Sequence, residues 1–150
     1  MGGAIDLIYI DSSCLMKLFR PAPDSREVAA AVNREDAVIV SLLAELEVIV
    51  QLKADWLAGN LTRPGWRRVE ARFSALRHQP PFEFRALSGS VFPTALRQHR
   101  NAGGLHCRTL DRLHLAAMEE LKLTRLMTHD EHQANAALDR GFEVIRPGRD

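Results

Sequence analysis

The stretch Leu7-Ile8-Tyr9-Ile10-Asp11-Ser12-Ser13 decides the fold. An unbroken apolar run ends at an aspartate and a pair of serines. Such a run predicts a strand buried on both faces, as in a parallel sheet. In open parallel sheets, ligands are met beyond the carboxyl ends of the strands, which is where this pattern puts Asp11. Asp and Ser are also good helix N-caps, so Asp11 equally reads as the start of a helix. Whether other acids arrive at the same edge decides between the two.

Working outward, the helical spacing of Leu15, Leu18 and Phe19 ends at Pro21 and Pro23. A second helix follows Asp24-Ser25, carrying Val28, Ala29, Ala31 and Val32. Ala37-Val38-Ile39-Val40 reads as a strand, and Ser41 as the cap of a helix running from Leu42 to Leu57 and stopped by Gly59-Asn60. Leu61 to His78 predicts an amphipathic helix. Trp66, Val69, Phe73 and Leu76 form its apolar stripe, which reads as core or subunit interface. Its polar face carries Arg63, Arg67, Arg68, Arg72 and Arg77, a solvated face or a surface for RNA or an acidic partner. After Pro80-Pro81, the alternation in Phe82–Leu87 suits an edge strand. Ser88 is expected to cap a helix to about Ala102. An Ala/Leu-rich helix is expected over 108–118, a strand over 125–128, a helix over 131–140 closed by Gly141, and a last strand over 142–145. Strands alternating with helices give an α/β fold: three layers, α/β/α, around a mostly parallel sheet.

Composition bounds the function. The chain has 150 residues and a net charge of +1, so it is not a bulk polycation. Cys14 and Cys107 lack a CxxC spacing, which speaks against a disulfide framework and fits a reducing cytoplasm. No apolar run reaches the roughly 18 residues of a membrane span. The segment containing Asp6 makes a poor signal peptide. Residues 1–150 read as a single domain, with residues 1–4 as an extension.

Asp11 and Asp130 each follow a short apolar strand, Glu47 sits early in the helix after the 37–40 strand, and Asp111 opens the Ala/Leu-rich helix. If these acids converge, their mutual repulsion is relieved by a hard divalent cation such as Mg²⁺ or Mn²⁺, whose preferred ligands are carboxylate oxygens. Such a cation can activate water against a phosphodiester. The alternative is unrelated surface acids, two of them N-caps. No Gly-rich phosphate loop is present, which disfavours a nucleotide-binding or phosphatase-like domain.

The segments Ile8–Phe19, Ser41–Val48, Arg108–Ala116 and Leu126–Asp130, with Ala136-Ala137 and Gly141 beyond, resemble in order the motifs of PIN-domain ribonucleases. Within that superfamily the chain looks like the VapC toxins of bacterial toxin–antitoxin pairs. The resemblance implies a PIN-like fold and a metal-dependent endoribonuclease, with a VapB-like antitoxin partner and a homodimer. Asp11, Glu47, Asp111 and Asp130 would be the catalytic, metal-holding acids. Ser13 and Thr128 would orient ligands or water from behind them. Glu47 is preferred to Glu45, because the family acid follows the serine by several residues and precedes an aliphatic run like Val48-Ile49-Val50. Two residues along a helix span roughly 200°, so only one of the two glutamates can face the site. Arg108 and Arg112 flank Asp111, and at least one is expected to meet RNA phosphates. His114 reads as a packed or capping histidine rather than a base. His129 and His132 beside Asp130 lack the further ligands of a zinc site. The competing function is a PIN-like module without catalysis that binds RNA or protein.

Overall fold

Period-two alternation assigns each residue of β1 (Leu7–Ile10) to one face of the sheet. Ile8 and Ile10 enter one core cluster and Tyr9 the other. The same split divides β2 (Ala37–Ser41), where Val38 and Val40 face one layer while Ala37 and Ile39 face the opposite one. The computed structural model describes residues 5–149, so the extension expected at residues 1–4 lies outside the described residues.

Three further strands, β3 (Phe82–Arg85), β4 (Arg125–Met127) and β5 (Glu143–Ile145), complete a sheet of order β3-β2-β1-β4-β5. Every pairing is parallel, with Tyr9 opposite both Ile39 and Leu126. The chain builds outward from β1 to β3, then returns to the other side of β1 for β4. The strand order therefore reverses between β1 and β4, and a crevice opens at such a switch point.

The first layer holds α1 (Ser12–Met16), α2 (Ser25–Asn33), α3 (Leu42–Leu57) and α4 (Arg63–Ser74). Leu15, Val28, Val48, Leu52 and Phe73 pack there against Ile8 and Val38. The second layer holds α5 (Val91–Asn101), α6 (Thr109–Glu120) and α7 (Glu131–Asp139). Val91, Leu115, Met118 and Ala137 cover Tyr9 and Leu126. Burying each large apolar side chain contributes about 1.5–3 kcal/mol, which sets the two layers and holds the crevice between them. Among the described residues no helix is long and apolar enough to cross a membrane.

Two expected helix starts are displaced. The helix expected from Leu61 begins at Arg63, because Thr62 Oγ1 accepts from Gly65 N (3.1 Å) and Pro64 occupies the first turn, where its missing N–H costs nothing. It also ends at Ser74, and a 3₁₀ turn carries the chain to His78. Ser88 does not cap α5. Its hydroxyl accepts from Ser90 N (3.3 Å), closing a turn ahead of the helix. The expected apolar stripe is core: Phe73 in α4 and Leu76 in the turn after it are buried, Trp66 and Val69 pack against the same cluster, and Trp66 stacks on Trp56 with centroids 4.4 Å apart.

Candidate active site

The carboxyl ends of β1, β2 and β4 deliver Asp11, Ser41 and Thr128 to the switch-point crevice. Asp11 N donates to Met127 O (3.2 Å), tying the end of β1 to β4. The Asp11 side chain is 4% exposed. Its Oδ1 accepts from Ser13 Oγ (2.6 Å) and from Cys14 N (3.3 Å), so it also caps α1. Its Oδ2 accepts from the Thr128 hydroxyl. Ser13 Oγ in turn accepts from His129 N (3.0 Å) and Thr128 Oγ1 from Asp130 N (3.0 Å). The two hydroxyls thus join the ends of β1 and β4 through Asp11.

Burial pushes the Asp11 carboxyl above its usual range, against the Ser13 and Thr128 hydroxyls, which favour the ionised form. Among the described residues Asp11 has no Lys or Arg partner at ion-pair distance. A buried carboxylate held only by neutral donors has an uncompensated charge, and a cation beside it would relieve that.

Asp130 caps α7 by accepting from Gln133 N (2.9 Å). Asp111 lies in the first turn of α6 and is 7% exposed. Arg108 joins the two, with Nε 3.0 Å from Asp111 Oδ2 and Nη2 3.1 Å from Asp130 Oδ2. Glu47, in the second turn of α3, accepts from His114 Nε2. Glu45 turns elsewhere and pairs with the exposed Arg77. The two glutamates therefore part as their helical separation requires.

Thr128 links Asp11 to Asp130, Arg108 links Asp130 to Asp111, and His114 meets Glu47 from the helix that carries Asp111. Among the described residues, no three His, Cys, Asp or Glu side chains form a ready-made metal-ligand group. The donor chemistry nonetheless suits a hard divalent cation, since carboxylate oxygens are its preferred ligands. Moving the exposed Arg108 off Asp111 and Asp130 would free the oxygens it now engages.

Of the two arginines of which at least one is expected at the phosphates, Arg112 is 4% exposed and turned inward, with Nη1 3.4 Å from Gln98 Oε1. Its position on α6 points it into the second layer among apolar neighbours. Arg108, with 68% of its side chain exposed, is left as the cation at the rim. Sequence reasoning treated His114 as packing and passed over Tyr9. Each carried a signal. His114 lies three residues after Asp111, on the same helix face, and Tyr9 is a lone phenol in an aliphatic strand, whose buried hydroxyl needs a partner.

The PIN domain family model matches residues 8–138, which include all four acids. The chain belongs to the PIN-domain family. Its sequence is 32% identical over 142 residues to ribonuclease VapC46 of Mycobacterium tuberculosis (strain ATCC 25618 / H37Rv), covering 93% of this chain and 97% of that protein. Solved PIN-like structures share the fold. Mycobacterium tuberculosis VapC20, described as a sarcin-ricin loop cleaving toxin, superposes with a TM-score of 0.70 at 15% identity, over 93% of this chain and 99% of that one. The FitAB complex bound to an IR36 DNA fragment gives a TM-score of 0.74 at 16% identity, over 95% and 96%.

Proposed function

We propose that this PIN domain is a divalent-metal-dependent endoribonuclease, the toxin of a toxin–antitoxin pair. Its partners would be a VapB-like antitoxin and a second copy of itself, and it would work in the cytoplasm. The observation that carries the reading is the buried, cation-poor Asp11, joined through Thr128 and Arg108 to Asp130 and Asp111 at the switch point. The ribonuclease relative, similar over nearly the whole chain, supports the reaction class.

Asp11, Glu47, Asp111 and Asp130 would hold Mg²⁺ or Mn²⁺. When bound, the ion would supply an activated water and offset charge on the phosphodiester. The chain's own groups prepare for this. Ser13 and Thr128 donate to both oxygens of Asp11, which fixes the carboxyl in orientation and partly offsets the effect of burial on its charge. Arg108 pairs with Asp111 and Asp130 in the resting protein, and its exposed guanidinium would pass from those acids to an incoming phosphate.

The experiment is cleavage of a labelled single-stranded RNA by wild-type protein and Asp11→Asn. Wild type is expected to cut with Mg²⁺ or Mn²⁺ and to stop in EDTA, and the variant to remain folded but inert. Cleavage that persists in EDTA, or in Asp11→Asn, refutes the proposal. A protein that binds RNA without cutting it under any of these conditions has the alternative, non-catalytic function.

A further inference from the structure

Between the sheet and α6, a buried run of hydrogen bonds ends on Glu47. Ser41 Oγ lies 2.7 Å from Tyr9 Oη, Tyr9 Oη lies 2.5 Å from His114 Nδ1, and His114 Nε2 contacts Glu47 Oε1. Ser41 and Tyr9 are 0% exposed and His114 is 2% exposed, so bulk water does not compete for the Ser41–Tyr9 and Tyr9–His114 bonds.

Counting protons gives the run a direction. Ser41 Oγ accepts from Ala44 N (3.1 Å), which leaves its own proton for Tyr9 Oη. Tyr9 brings a single hydroxyl proton to the two contacts at its oxygen. Accepting from Ser41, Tyr9 donates to His114 Nδ1. A neutral imidazole that accepts at Nδ1 carries its proton at Nε2, and Nε2 faces the Glu47 carboxylate. The reverse arrangement of a neutral ring would set a nitrogen lone pair against that carboxylate, which is repulsive.

We infer that Ser41, Tyr9 and His114 form a one-way hydrogen-bond chain that positions the Glu47 carboxylate, with Tyr9 and His114 as positioning residues of the acid site. The inference rests on the role proposed for Glu47. The chain engages Oε1 and, among the described residues, leaves Oε2 without a hydrogen bond. It separates Glu47 from Glu45, which among the described residues is held by the exposed Arg77. It also ties the carboxylate to its own helix, because Ser41 is the N-cap of α3. The start of that helix and the acid in its second turn are set by one network. The contacts that make it span 32, 105 and 67 positions of sequence.

Three measurements test this. In metal-free wild type, ¹⁵N spectra of the imidazole should show His114 Nδ1 as the acceptor and the proton on Nε2. Tyr9→Phe, which removes only the hydroxyl, should weaken Mn²⁺ binding about 10-fold and lower kcat with KM for RNA unchanged. His114→Leu should weaken Mn²⁺ binding by up to about 100-fold, and His114→Gln, whose amide can still donate to Glu47, should recover part of that. A proton on Nδ1 in wild type, or Mn²⁺ affinities in Tyr9→Phe and His114→Leu equal to wild type, overturns the inference. A wild-type protein that binds no Mn²⁺ refutes the metal-dependent activity instead, and the imidazole spectrum still decides the hydrogen-bond chain.

Discussion

Replacing Ser41 by alanine tests the junction of sheet, helix and acid site together. Ser41 Oγ accepts from Ala44 N at 3.1 Å, and losing an N-cap costs about 1 kcal/mol. The same oxygen meets Tyr9 Oη at 2.7 Å inside the core. Tyr9 keeps His114 as a partner, so the second loss is one buried hydrogen bond, about 0.5–1.5 kcal/mol. Together Ser41→Ala should cost about 2 kcal/mol. In a chain of this size each kcal/mol moves Tm by about 2–4 °C, so the expected fall is about 4–8 °C. Thr62→Ala is the control. Thr62 caps α4 by accepting from Gly65 N (3.1 Å) but is exposed, so it should cost only the cap, about 1 kcal/mol. Thermal and urea unfolding of both variants against wild type measure the difference. If Ser41→Ala costs no more than Thr62→Ala, the buried bond to Tyr9 contributes nothing and the reasoning fails.

Three other outcomes follow from the same structure. The folded-state pKa of Asp11 lies above its unfolded value, so its contribution to stability is present below the ordinary carboxylate range and is lost as pH rises through the folded pKa. Metal-free Asp11→Asn should therefore melt above wild type at pH 7, with the gap closing as pH falls through the acid range. Melts in EDTA across pH check this, and a variant less stable than wild type at pH 7 contradicts it. Glu47→Gln should lose Mn²⁺ binding and RNA cleavage, whereas Glu45→Gln loses only an exposed ion pair worth about 0–1 kcal/mol and should keep both. Paired calorimetry and cleavage assays decide which glutamate belongs to the site. Arg125 grips Glu35 with two bonds of 2.7 and 2.9 Å at the far ends of the strands, and the Glu35 side chain is only 7% exposed. Arg125→Ala should cost about 1–3 kcal/mol in unfolding assays by stranding that carboxylate, with RNA cleavage unchanged.

What the sequence disclosed followed from local pattern. The apolar runs ending at Asp11 and before Asp130, and the Ala/Leu-rich helix opened by Asp111, read correctly as strands and helix because burial on both faces leaves a local signature. Helix starts were less legible. Pro64 and the Ser88–Ser90 turn shift two of them by hydrogen-bond choices that composition does not rank. The Tyr9–His114 contact joins residues 105 positions apart, and only the pairing of β1 with its neighbours and the docking of α6 bring it about. The flanking arginines looked equivalent as neighbours of Asp111. Arg108 precedes the first turn of α6 and reaches back over the acids, while Arg112 falls on the buried face of the same helix.

Titrating Mn²⁺ into metal-free protein by calorimetry tests most directly whether folding gathers these carboxylates into one cation site. Saturable binding by wild type, abolished in Asp11→Asn while the variant stays folded, is the predicted result. The same heat from both proteins, or none from wild type, would contradict it.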